Sequence, residues 1–522
     1  MKPAVHLPRR LVWIVLVIAS STIANSATSF ADVPDYLSRP SAGINFAGPK
    51  DWSTELPLID VMKLSRAWIS QRHGAGWGKG PKLELDKHGH VQRLEPGCYA
   101  ETPICNIAGG HYPSGRYTFV FEGKGRFEAH GAGKFVETTE HGGVIDVDSS
   151  KAPIYLRLIE VDPSDPPHNI RLMLPGSENA SDGNPWRPEF IRRWSGMRVF
   201  RTMDWQHTNG SEIQTVDDFP SAEDVNFTTH GFPLTYIADF ANRTRMDPWI
   251  CVPHLADDRA VRHMATVMHE TLDTDRRLIV EYSNEVWNGQ FAQCRYAKQR
   301  GVELGLSTVP HEAGWKFTAQ RSHEIFEIFE SVFGGSERLV RIVPSQSANP
   351  YVAKKILEHF RTLGTADALA IAPYVSMNVK PENAPEHIAM GAEGVLEKAL
   401  TESLPKTLQN IAANAELASA SGLALVAYEG GQHFVGVGAA NRNEALTRVL
   451  TTANADSKMQ VLYERYLAGW NRHGGTLFCH FSSTGAWGRY GSWGLTQYAD
   501  DPPESSPKFR GLMTWMQSLQ TR

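Results

Sequence analysis

Leu278-Ile279-Val280-Glu281-Tyr282-Ser283-Asn284-Glu285-Val286-Trp287-Asn288 begins as an apolar, β-branched run and reaches a carboxylate at its end. A short run of this kind, bounded by polar residues, is the pattern of a buried strand. Leu423–Ala427, followed by Tyr428-Glu429-Gly430-Gly431, has the same build, and its glutamate lies 144 residues after Glu285. From about residue 187 onward such runs alternate with longer helical segments: Met197–Met203, Pro248–Pro253, Leu278–Ser283, Leu339–Pro344, Ala368–Ala372, Leu423–Ala427 and Gly475–Phe481. Ala42–Phe46 supplies an eighth run, placed first. Strands alternating with helices predict a parallel α/β arrangement, and eight such units close into a barrel whose C-terminal strand ends carry the site. Glu285 and Glu429 then fall at the ends of strands four and seven.

Between the first two runs the texture differs. From about 80 to 175 short alternating stretches are broken by Gly, Pro and Asp, as in Arg116–Glu122, Gly143–Val147 and Ile154–Leu158. Alternation with frequent turns predicts an antiparallel sandwich or jelly roll. The expected fold is therefore α/β: a (β/α)8 TIM barrel with an inserted antiparallel β-sandwich. The expected divisions are a signal peptide at 1–31, the first barrel strand and a helical stretch near Leu58–Leu64 within 32–75, the sandwich at 76–180, and the remaining barrel at 181–522. Lys87-His88-Gly89-His90 reads as a solvated hairpin tip. Neither an internal repeat nor a low-complexity linker separates the parts, so they are expected to pack rigidly.

Lys2, Arg9 and Arg10 followed by the apolar stretch Leu11–Ala24 and by Ser29-Phe30-Ala31 form the pattern of a cleavable secretory signal. Cleavage before Asp32 would remove three basic residues and take the net charge from −5 to −8. We expect a secreted, periplasmic or cell-surface protein with no membrane association after cleavage. The acidic balance gives no electrostatic case for nucleic acid. Five cysteines remain; Cys98 and Cys105, either side of a Pro-containing segment, are the candidate disulfide, and Cys251 and Cys479 are expected as buried thiols. Zinc-ligand spacing is lacking, and neither metal nor cofactor is expected. Four Asn-x-Ser/Thr triplets start at Asn179, Asn209, Asn226 and Asn242.

Two carboxylates at one barrel mouth suit glycoside hydrolysis, in which one holds a proton and the other attacks the sugar or activates water. The Asn284-Glu285 pair closing the fourth strand and Glu429 closing the seventh resemble the clan A glycoside hydrolases, retaining (β/α)8-barrel enzymes. The resemblance spans roughly residues 40–75 and 187–515, excluding the sandwich. It implies Glu285 as acid/base, Glu429 as nucleophile, and Asn284 as a ligand of the sugar 2-hydroxyl. A strand-two arginine, Arg198 or Arg201, would hold Glu429 ionised, and Arg201 is the one adopted. Tyr374 would donate to the nucleophile. His254 would contact substrate or sit as a satisfied core histidine. Trp205, Trp287 and Trp487 would offer flat faces to a pyranose, with Trp487 at the usual subsite floor. Asp204 and Gln432 are further hydroxyl ligands, and Glu281 a buried structural acid. Val286-Trp287-Asn288 after the acid, and Gly430-Gly431-Gln432-His433-Phe434 after the nucleophile, depart from the usual pattern. The chain also resembles exported bacterial proteins described as cellulose-binding.

The expected activity is an exported retaining glycosidase acting on a polysaccharide or oligosaccharide. Two alternatives remain open: a carbohydrate-binding protein that has lost turnover, with the sandwich as its binding module, and a transglycosylase.

Overall fold

The structure is a computed structural model that describes residues 35–177 and 183–520. The expected signal peptide and the triplet at Asn179 lie outside the described residues. Eight parallel strands close into a barrel: β1 (Ser41–Asn45), β2 (Val199–Arg201), β3 (Asp247–Val252), β4 (Leu278–Tyr282), β5 (Leu339–Pro344), β6 (Ala368–Ile371), β7 (Ala424–Ala427) and β8 (Gly475–Phe481). Each pairs with its sequence neighbour, and β1 closes the ring by pairing with β8 from Ser41 opposite Leu477 to Asn45 opposite Phe481.

Strand periodicity sorts the side chains into two cores. Val199, Trp249, Ile279, Val340, Ile342, Ala368, Ala370, Val426 and Leu477 fill the barrel. Tyr36 and Leu37 join this cluster, and the Tyr36 hydroxyl donates to Asp247 at 2.7 Å. Gly43 is required where β1 faces the interior, because a Cβ there would come within 2.4 Å of the Cys479 sulfur. The other face of each strand packs against helices. The helix Asp258–Thr271 shows how: Asp257 caps it by accepting from the Ala260 amide, and Ala260, Val261, Met264, Ala265 and Met268 turn one stripe to the barrel.

The insertion is built on two four-stranded antiparallel sheets, with a small two-stranded sheet, Glu84–Leu85 against Val91–Arg93, beside them. One runs in the order Ile69–Arg72, Cys98–Ile104, Ile154–Val161, Gly125–Gly131, and the other His168–Met173, Gly115–Glu122, Gly142–Val147, Gly133–Thr139. Tyr117, Phe119 and Phe121 from one sheet and Ile154, Leu156 and Leu158 from the other alternate inward. Their cluster is continuous with the apolar layer between barrel and helices. Asp60 adds a polar tie, accepting from the amides of Met62 and of Leu172 in the sandwich at 3.1 and 3.0 Å.

Two local expectations fail. The stretch near Leu58–Leu64 holds only the short 3-10 turn Val61–Leu64, because Leu58 and Asp60 are engaged in isolated bridges to Trp186 and Met173. Cys98 and Cys105 are free buried thiols. The segment between them is the extended strand Cys98–Ile104. At about 3.3 Å per residue an extended strand of that length carries its ends far beyond the Cα separation of about 4.4–6.8 Å that a disulfide needs.

Candidate active site

At the C-terminal mouth of the barrel lies a cavity of about 710 Å³. Glu285 and Glu429 both line it, with Asp204, Asn284, Trp287 and Tyr374. The two acids reach it by different backbone routes. Beyond β4 the chain turns sharply, with Ser283 and Glu285 at φ of 56° and 42°. Left-handed backbone is uncommon for residues with a side chain and clusters at functional sites. Beyond β7, Glu429 is followed by two glycines that the packing demands. A Cβ on Gly430 would sit 2.4 Å from the Phe478 ring, and Gly431 has φ of 140°.

Glu429 is 5% exposed and held by two donors. Arg201 Nη1 donates to Oε1 at 2.9 Å, and the Tyr374 hydroxyl donates to Oε2 at 2.9 Å. Arg201 is fully buried and uses its whole fork: Nε to Glu281 at 2.9 Å, Nη1 also to Asn45 at 3.2 Å, and Nη2 to Asn284 at 2.8 Å. Glu281 thus lies across the guanidinium from Glu429 as a second counter-ion of Arg201, itself receiving the Trp249 indole N–H at 2.8 Å. Arg198, on the opposite face of β2, instead stacks on Tyr36 with its guanidinium carbon 3.9 Å from the ring centroid. Burial pushes the Tyr374 hydroxyl far above the ordinary tyrosine value, with the charges of Glu429 and Glu285 adding to it, so it remains a donor.

Glu285 has no cation in direct contact among the described residues. Asn288 donates to its Oε2 at 2.8 Å. Burial first, and the charge of Glu429 second, push its pKa up to about 7. The Asn288 hydrogen bond, the more distant Arg201 charge and the Tyr428 hydroxyl pull weakly the other way. Asp204 is likewise raised to about 7, by burial and by Glu429. A carboxyl raised in this way can hold a proton near neutral pH, which is what an acid catalyst requires.

Asn284 is fixed by Arg201 and donates to Asn209 Oδ1 at 3.0 Å. The Trp287 indole donates to the Tyr428 hydroxyl at 3.3 Å. Four expected ligands are elsewhere. Trp205 is fully buried, stacked on Trp186 at 5.4 Å and on Phe232 at 4.4 Å in the layer between barrel and helices. His254 is 5% exposed behind the wall, 5.5 Å from the Tyr296 ring, and accepts from Tyr282 only through its backbone carbonyl. Trp487 donates to the Gly494 carbonyl at 3.0 Å and lies under the Lys508 ammonium at 4.3 Å, away from the cavity. Gln432 is 1% exposed and spends its amide on the wall, donating to Ser492 O at 2.6 Å and accepting from Phe434 N at 2.9 Å.

The cavity also uses His433, Trp493, Asn209 and Asn288, which sequence reasoning passed over. Trp493 stands six residues beyond Trp487 in the same loop after β8, and it is Trp493 that lines the cavity. His433 directly follows Gln432, and strand alternation would have separated the two had a strand been expected there.

Neither a protein-family model nor a curated protein matches the chain. Solved structures with partial likeness include an arabinofuranosidase of family GH51 from Xanthomonas axonopodis pv. citri, 10% identical, covering 58% of this chain and 62% of its own, with a TM-score of 0.36. A 4-O-alpha-L-rhamnosyl-beta-D-glucuronidase from Fusarium oxysporum is 10% identical, covering 61% of this chain and 60% of its own, at 0.36. A family 5 xyloglucanase from Paenibacillus pabuli is 11% identical, covering 65% of this chain and 92% of its own, at 0.38. The chain thus spans about three-fifths of the length of the first two.

Proposed function

We propose that the protein is a retaining glycoside hydrolase acting on an oligosaccharide or polysaccharide. Glu285 protonates the glycosidic oxygen as the bond to the anomeric carbon breaks, while a Glu429 oxygen forms the new bond to that carbon. Glu285, now ionised, then takes a proton from water, and the water oxygen displaces Glu429. Asn284 offers a contact to the sugar beside the nucleophile, and Trp287 an apolar face.

One observation carries this reading: two carboxylates share one cavity, one gripped by a guanidinium and a phenol, the other raised to about 7 with no cation in contact among the described residues. Treatment with 2-deoxy-2-fluoro glycosides that trap a glycosyl-enzyme, followed by peptide mapping, tests it. Label on Glu429 is expected. Label on another carboxylate, or inverted product from a substrate that is cleaved, would remove Glu429 as nucleophile. Export through an N-terminal signal belongs to the same proposal. Among the described residues no helix is long and apolar enough to cross a membrane.

A further inference from the structure

Beyond β7 the chain continues as Gln432–Gly436, which pairs in parallel with Val375–Val379, placing Ser376 opposite His433. Two strands thereby extend past the barrel rim as a wall of the cavity. Their alternation decides which residues face it. Val375, Met377, Val379 and Gln432 are buried, whereas Ser376, Asn378 and His433 line the cavity. The His433 ring lies 5.6 Å from that of Tyr374, the phenol bonded to Glu429.

Trp493 approaches His433 from the loop after β8. Its indole N–H lies 3.1 Å from His433 Nδ1, and the ring planes differ by only 28°. An indole nitrogen can only donate, so Nδ1 must accept. A neutral imidazole with an accepting Nδ1 carries its proton on Nε2. Among the described residues none accepts a hydrogen bond from Nε2. Trp493 is held in turn, because Gln432 ties down the neighbouring Ser492 carbonyl at 2.6 Å.

We infer that His433 is a substrate-recognition residue: a neutral imidazole, fixed by Trp493 as its Nε2–H tautomer, that donates a hydrogen bond to an oxygen of the sugar bound beside Glu429. The ring serves recognition and transfers no proton. Burial holds its pKa below the ordinary histidine value, which favours the neutral ring. A fixed donor of this kind selects for a hydroxyl at one position of the sugar, since the analogue lacking it leaves the donor unpaired. The substrate part of this inference rests on the glycosidase reading; the tautomer part does not.

The experiment has two arms. Nitrogen-15 chemical shifts of labelled histidine in the intact protein, with H433Q identifying the signal, should show the Nε2–H tautomer between about pH 6 and 8. W493F should release it to a mixture. A dominant Nδ1–H form, or an imidazolium at pH 6, overturns the inference. The second arm measures kcat/KM on the 4-nitrophenyl glycoside that the wild type cleaves fastest. His433→Phe should lose roughly tenfold, mainly through KM, as expected for one uncharged hydrogen bond. His433→Gln, whose amide N–H reaches a similar point, should recover most of the loss. Wild-type kcat/KM in His433→Phe overturns the recognition role. Full activity in Glu285→Gln overturns the catalytic reading instead, and cleavage of none of the glycosides removes the substrate part while the nitrogen shifts still decide the tautomer.

Discussion

The ends of β4 and β7 present the same functional group to one cavity and surround it differently. At β7 the carboxylate meets a fully buried arginine and a tyrosine hydroxyl, and that arginine is also paired with Glu281. At β4 the carboxylate meets an amide, lies near the other's charge, and is raised to about 7. The chemistry of each glutamate is therefore a property of its neighbours. At β7 a guanidinium and a phenol hold the carboxylate in place, whereas at β4 desolvation favours the protonated form of Glu285.

The largest way to break this contrast is to remove either carboxylate. Glu429→Gln and Glu285→Gln should each lower kcat by about 10²–10⁴-fold, the range for a positioned acid or base, with sugar affinity retained by calorimetry. Near-normal turnover in either variant would strip that residue of its role. Arg201→Met leaves Glu281 and Glu429 buried without their shared cation. Breaking a buried pair this way costs about 3–5 kcal/mol, readable as a lowered urea midpoint, and unchanged stability would show that the guanidinium does not hold the two acids.

The pH dependence sharpens the same contrast. As the proposed proton donor, Glu285 acts in its protonated form, so the alkaline limb of kcat/KM should fall as pH rises through about 7. Its folded pKa exceeds the unfolded carboxylate value, so the folded state binds a proton more tightly, and the stability this gives is lost as pH rises from about 4.5 to about 7. Glu285→Gln should therefore raise the melting temperature at pH 8 relative to wild type and change it little at pH 4. A melting temperature unaltered at pH 8 would contradict the raised pKa. Asn288→Ala removes a bond that favours the ionised form, and the smallest effect expected is a shift of the alkaline limb to slightly higher pH.

Much of the barrel was legible because a buried parallel strand has a local signature. All eight runs read from apolar composition coincide with β1 to β8 within a residue or two. Glu285, Glu429, Asn284 and Tyr374 were legible as strand-end residues for the same reason. Of the three expected tryptophans only Trp287 lines the cavity. An indole is suited equally to a core and to a sugar-binding wall, and composition does not separate the two. Trp205 went to the core beside Trp186, and Trp493 went to the wall in place of Trp487. The disulfide expectation failed because the Pro-containing stretch between Cys98 and Cys105 is an extended strand, which carries its two ends apart.

By itself the amino-acid sequence determined the number and order of the barrel strands, the position of the antiparallel insertion, and which acids close strands four and seven. These follow from periodicity and composition within a dozen residues, which act before any distant contact forms. Tertiary structure alone decided that Arg201 and not Arg198 grips Glu429, that Gln432 is wall and His433 is lining, and that Glu285, like Asp204 beside it in the cavity, is raised to about 7. Those outcomes depend on burial and on charges brought together from remote parts of the chain, and desolvation and Coulomb terms are set by distance in space, not by separation in sequence.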